Sequence, residues 1–181
     1  MARTLSSQTL SLADRRIAAA WAADCAEHVL PLFEAEVPDD DRPRDAIVRT
    51  RRFASAELAA GEAIRSRFVA GRAARSAVSG AAAAAARAAG QASGVAHMGA
   101  HALGAAAYAA YAVALSRPDR PGAREAEISW QLQRLSPEAA AVLRALPAVG
   151  VDTSGPLGPG LLSSGAVGEI IRELQAELST R

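Results

Sequence analysis

The sequence contains no lysine, so all 20 of its basic residues are arginine. A single cysteine, Cys25, excludes an internal disulfide framework. Aromatic residues make up only 4% and β-branched residues are sparse outside a few clusters, which leaves little material for a sheet and excludes an all-β fold. The net charge of +1 supplies no global field that would draw the chain to nucleic acid or to an acidic membrane. The opening stretch MARTLSSQTLSLADRR lacks the charged-then-apolar order of a secretion signal, and a cytoplasmic location is expected. Several catalytic signatures are also missing: Gly-x-Ser-x-Gly, a P-loop, Cys-x-x-Cys, and a dinucleotide fingerprint after a strand.

What the chain has in excess is alanine, at 47 of 181 positions. Alanine loses least on helix formation, and its small side chain lets helix axes approach closely. An all-α, Ala-rich helical bundle around a buried central helix is therefore expected, with a helix appended at the C-terminal end. Three units are expected: a bundle domain over 1–147, a Gly/Pro/Ser-rich linker over 148–165, and a docking helix over 166–181.

Local signals place the elements. Ser11 caps a helix over about 12–30, whose stripe is Ile17, Trp21, Cys25 and Val29 and which Pro31 bends or ends. Asp41 and Pro43 open a second helix over about 44–60. A third, over about 63–78, carries Ile64, Phe68 and Val78 on a loosely apolar face. Then follow 29 residues, Ala88 to Ser116, without a formal charge. That run is too alanine-rich and too polar in places for a membrane span, and it shows no polar face at helical spacing, so a buried central helix is favoured. Further helices are expected over about 123–135, from Pro137 behind a Ser136 cap, and over about 166–179. In the last of these Val167, Ile171, Leu174 and Leu178 form a narrow seam suited to docking, including across a homodimer.

The chemistry-bearing residues concentrate in two places. Along the uncharged helix a heptad stripe joins Gly94, His97, His101, Gly104, Tyr108 and Tyr111. His28, on the first helix, lies beside Asp24, with Glu27 and Cys25 nearby and Trp21 on the same stripe. If His28, His97 and His101 converge inside the bundle, they are structural hydrogen-bonding groups, a ligand pocket or acid-base site, or the ligands of a metal ion. No Glu follows His97 and no Glu-x-x-His pair is present, so the metalloprotease and di-iron patterns fail and no cofactor is expected. Cys25 is a core residue on its stripe before it is a nucleophile. The charge is uneven: residues 42–87 hold ten arginines against three acids. An ordinary solvated face accounts for this most simply, ahead of an acidic protein partner. Nucleic acid lacks an aromatic platform, since Phe53 and Phe68 read as core.

Three stretches carry a resemblance: Trp21 to Glu34, Asp41-Arg-Pro-Arg44, and Gly90-Gln91 through Ala96-His97, His101-Ala102 and Gly104-Ala105, with Trp130-Gln131 and Arg134-Leu135 as a closing segment. Together they resemble the putative immunity protein family of bacterial polymorphic-toxin systems, over about residues 12–147. The matching positions are Trp21, Asp24, Cys25, Glu27, His28, Arg42, Arg44, His97 and His101. The resemblance implies an all-helical domain that gives immunity or self-resistance by binding a toxin protein or a small antibacterial molecule. It leaves residues 150–181 unexplained. The alternative is a small-molecule enzyme, a hydrolase or cyclase of specialised metabolism, with a His-rich site inside the bundle.

Overall fold

The computed structural model describes residues 6–180. Those residues form nine α-helices and no strand: α1 Leu12–Glu34, α2 Arg42–Ala54, α3 Ala60–Arg65, α4 Val69–Ala73, α5 Gly80–Gly94, α6 His101–Ser116, α7 Ala123–Gln133, α8 Pro137–Arg144 and α9 Gly165–Ser179, with a 3-10 turn at Leu161–Ser163 before the last. The chain is an all-α bundle. Ser11 and Ser136 accept from the N–H groups of Asp14 and Ala139, at 3.1 Å each, and so open α1 and α8 as expected.

The uncharged run is not one helix. A straight helix of that length would extend about 43 Å, more than the width of a small domain. Instead α5 ends at Gly94, and residues 95–100 turn the chain back into α6. The two residues that precede α6 are tied to the N-terminal segment. The N–H groups of Gly99 and Ala100 donate to the carbonyls of Thr9 and Gln8, at 3.1 and 3.0 Å. The two helices run antiparallel, with Gly80 facing Leu115 at one end and Gly94 facing His101 at the other. This hairpin, lined by fully buried alanines, is the centre of the molecule. The first two helices and α4 cover α5, while α1, α7 and α9 cover α6.

Other boundaries move for identifiable reasons. Pro31 lies inside α1, which continues to Glu34 because Leu30 and Phe33 are both buried. The second helix stops at Ala54, short of the expected end. Ala56 takes a left-handed φ of 68°, and the Leu58 N–H reaches back 3.0 Å to the Arg52 carbonyl. Asp41 makes no side-chain cap bond. Asp40 does the work, accepting from the Arg42 N–H at 3.2 Å. The expected third helix is split into α3 and α4, and of its apolar face only Ile64 packs against the core, while Phe68 is 59% and Val78 94% exposed.

Residues 148–165 lack regular helix yet are fixed in place. Gln8, fully buried, donates to the Asp152 carboxylate at 2.6 Å and the Ser154 carbonyl at 2.8 Å, and accepts from the Leu157 N–H at 2.9 Å. Leu157 is buried beneath this latch. Beyond it, α9 packs on α6 and α8 of the same chain and buries Val167, Ile170, Ile171, Leu174 and Leu178. The apolar seam is thus covered without a second copy.

Two outcomes follow from these local geometries. Replacing exposed Ala56 by glycine removes the left-handed penalty of a Cβ and should raise unfolding free energy by about 0.5–1 kcal/mol in urea titration. Gln8→Ala strips three bonds from one buried amide and should lower stability by about 2–3 kcal/mol, read as a lower urea midpoint.

Candidate functional site

One constellation is built by the α5–α6 hairpin. His101 Nδ1 donates to Gln91 Oε1 across 2.7 Å. Two glycines make the room. A Cβ on Gly94 would come within 2.9 Å of the His101 ring, and one on Gly104 within 2.5 Å of Gln91 Oε1. A Cβ on Gly90 would meet the Gly71 backbone at 3.0 Å, so α4 crosses α5 almost backbone to backbone. Since Nδ1 carries the proton, Nε2 of a neutral His101 is left as an acceptor. Burial, reinforced by His97 and Arg67, pushes the His101 imidazole down to about 4.

His101 opens into a cleft of about 710 Å³ whose walls include Arg67, Arg72, Arg87, His97, Met98 and Tyr108, with Gly155 and Pro156 from the C-terminal segment closing one side. Tyr108 is buried, and burial raises its phenol above the ordinary value. Tyr111 does not line this cleft. His97 sits on the connection between the two helices and is exposed, with partial burial, Arg67 and Arg15 lowering its pKa. The expected single stripe is therefore replaced by a hairpin that still brings Gly94, His97, His101 and Tyr108 to one cleft.

The three histidines do not converge. Arg15 Nη1, near the start of α1, donates to the Ala96 carbonyl at 2.7 Å, whereas His28 lies thirteen residues further along, about 20 Å at the helical rise. There His28 Nδ1 is 2.9 Å from a carboxylate oxygen of buried Glu127, while its own side chain stays 42% exposed. Its ring stacks on Trp130 with centroids 3.7 Å apart, and the Arg134 guanidinium covers the same indole at 4.2 Å. Beneath them, Trp21 Nε1 donates to the Gln131 carbonyl at 2.8 Å, and Gln131 Nε2 donates to Glu127 at 3.0 Å and to the Ala106 carbonyl at 3.1 Å. This network ties α1, α6 and α7 together.

Asp24 is not a partner of His28. It pairs with Arg51 of α2 at 2.9 Å, and Glu27 binds the same guanidinium. Arg44 clamps Glu34 with two bonds, of 2.6 and 2.7 Å, and so fixes α2 against the end of α1. Cys25 is fully buried, and burial, followed by the fields of Glu127 and Asp24, raises its thiol well above the ordinary range. It stays protonated and packed, which removes it as a nucleophile. Among the described residues no group of three or more His, Cys, Asp or Glu side chains is placed to hold a metal ion. No helix of the described chain is long and apolar enough to cross a membrane.

Sequence reasoning missed the arginine side of the cleft and the Glu127–Trp130–Arg134 side of the α1 face. The ten arginines of residues 42–87 were the available signal for the first. Nothing in the spacing could pair Glu127 with His28, which lies 99 residues away.

Fold and face define an all-helical domain whose helices are tied to one another by buried polar side chains. The chain belongs to the family described as Imm-5 like putative immunity protein, whose model matches residues 8–138. No curated protein and no solved structure matches it.

The lowered His101 value makes stability depend on pH. Its stabilising contribution is full above the ordinary value of 6.5 and is lost as pH falls toward about 4, because the unfolded chain takes up a proton that the folded one does not. Urea titrations at pH 7.5 and 5 should differ by about 2 kcal/mol more in the parent than in His101→Gln. Equal differences would remove the buried neutral imidazole from the account.

Proposed function

We propose that this protein confers immunity by binding and covering a toxin protein, using the face where α1 meets α7. The observation that carries this reading is Trp130, half-buried, stacked by the His28 ring and in contact with the Arg134 guanidinium, beside a depression of about 300 Å³ that Asp24 and Glu27 also line. Tryptophan and arginine dominate the energetics of protein interfaces, and an aromatic already fixed in position loses little entropy on binding. The buried Glu127–Gln131–Trp21 network behind it supplies the rigidity. Family membership supports immunity in general terms.

Chemistry at His101 is the weaker reading. An imidazole held near 4 is a poor general base at neutral pH, because proton-transfer catalysis works best with a pKa close to the operating pH. It is a good fixed acceptor.

The test is co-expression with the products of the reading frames adjacent to its gene, followed by purification. A binder protects only at one-to-one stoichiometry or above, forms a complex stable to gel filtration, and releases its target with unchanged mass. Trp130→Ala should keep the helical circular dichroism spectrum and weaken the complex by about tenfold or more. Protection at substoichiometric levels, with a chemically altered target, would replace this reading by an enzymatic one.

A further inference from the structure

We propose that the cleft between α4, α5, the start of α6 and the Gly155–Pro156 bend is a binding site for a small aromatic anion, a flat ring bearing a phosphate, sulfonate or carboxylate. This goes beyond immunity and uses none of the residues of the Trp130 face.

Charge is the first ground. Arg67, Arg72 and Arg87 line the cleft, and no carboxylate does. Four arginines outside the cleft are paired with acids, Arg42 with Asp40, Arg44 with Glu34, Arg51 with Asp24 and Glu27, and Arg124 with Glu125 and Glu173. Among the described residues Arg72 and Arg87 have no such acid. A concave wall lined by one sign of charge concentrates the field and favours an oxyanion, which guanidinium groups bind with directed hydrogen bonds.

Shape and chemistry of the remaining lining add the ring. Phe68 stands at the lip, 59% exposed, with the Arg67 guanidinium over it at 4.2 Å, and that guanidinium is held by the Ile64 carbonyl at 2.8 Å. The pair forms a fixed flat platform of a kind that stacks on aromatic ligands. Below it Gly71 leaves open space where a Cβ would stand, and Met98 and Pro156 add apolar wall. A volume of about 710 Å³ lies in the range of small-molecule sites.

The experiment is isothermal titration of the full chain with three probes: 1-naphthyl phosphate, inorganic phosphate and 1-naphthol. The ring and the anion act together here, so naphthyl phosphate should bind one-to-one and at least about tenfold tighter than either half. Added salt should weaken it. Arg72 and Arg87 are exposed, so an Arg72→Gln/Arg87→Gln variant keeps its circular dichroism spectrum and should lose about tenfold in affinity. Phe68→Ala should weaken naphthyl phosphate and leave inorganic phosphate unchanged. Equal affinity for naphthol and naphthyl phosphate overturns the proposal. So does an unchanged Kd in the arginine variant, or no saturable binding at millimolar probe, which would leave these arginines to an acidic surface of a protein partner.

Discussion

Everything in this molecule depends on α5 lying closely against α6. An interior built of alanine gains little from each buried side chain, so it holds together only if the helix axes come near enough for backbone and Cβ atoms to fill the space. The sequence allows close packing around α5 at three levels, one against α4 and two against α6. Gly90 admits the α4 backbone, Gly94 admits the His101 ring and Gly104 admits the Gln91 amide. At the last two levels the space left by a missing Cβ is filled by a polar side chain from the partner helix, and the two polar groups bond to each other. The hairpin is thereby keyed in register: sliding one helix along the other by a turn would part the half-buried amide and imidazole and drive each against the alanines of the other helix. A polar pair among alanines fixes one arrangement where alanine alone would tolerate several.

The same economy separates the two faces. Toward α1 and α2, Asp24 and Glu27 take Arg51 and Glu34 takes Arg44, so the two helices are stitched by ion pairs. On the α4–α5 side the arginines are left without acids, and the field there is net positive. A chain of net charge +1 thus still presents a cationic cleft, which total charge conceals.

This also explains what could be read from the sequence. Element type was legible because alanine content, Ser11 and Ser136 caps and the 3.6-residue apolar pattern all act within one helix. The break at Gly94 was not. Its cause lies in Thr9 and Gln8, about ninety residues earlier, whose carbonyls take the Gly99 and Ala100 donors. The individual residues His28, His97, His101 and Gln91 stood out as polar groups in apolar surroundings, but which would meet was decided by the hairpin. A stripe drawn along one continuous helix put His97 inside; the turn puts it in solvent. Likewise Phe68 reads as core by type, and only the crossing of α4 over Gly90 turns it outward.

The C-terminal segment illustrates how composition can mislead about order. Glycine, proline and serine in residues 148–165 describe a chain with few regular hydrogen bonds of its own, and a flexible linker is the usual result. Here the bonds come from elsewhere. Gln8 supplies three, and Gln175 of α9 accepts from the Val149 N–H and donates to the Pro147 carbonyl, so the segment is tied at its start and in its middle. Because α9 is anchored by buried aliphatic residues on α6, the segment's ends are set by the bundle itself. Its bend at Gly155 and Pro156 then becomes a wall of the cleft. The family match ends at residue 138, so the histidine and arginines of the cleft come from the shared domain and this wall comes from outside it. Variation in such a segment would change the shape of the cleft while leaving the Gln91–His101 key, and hence the fold, untouched.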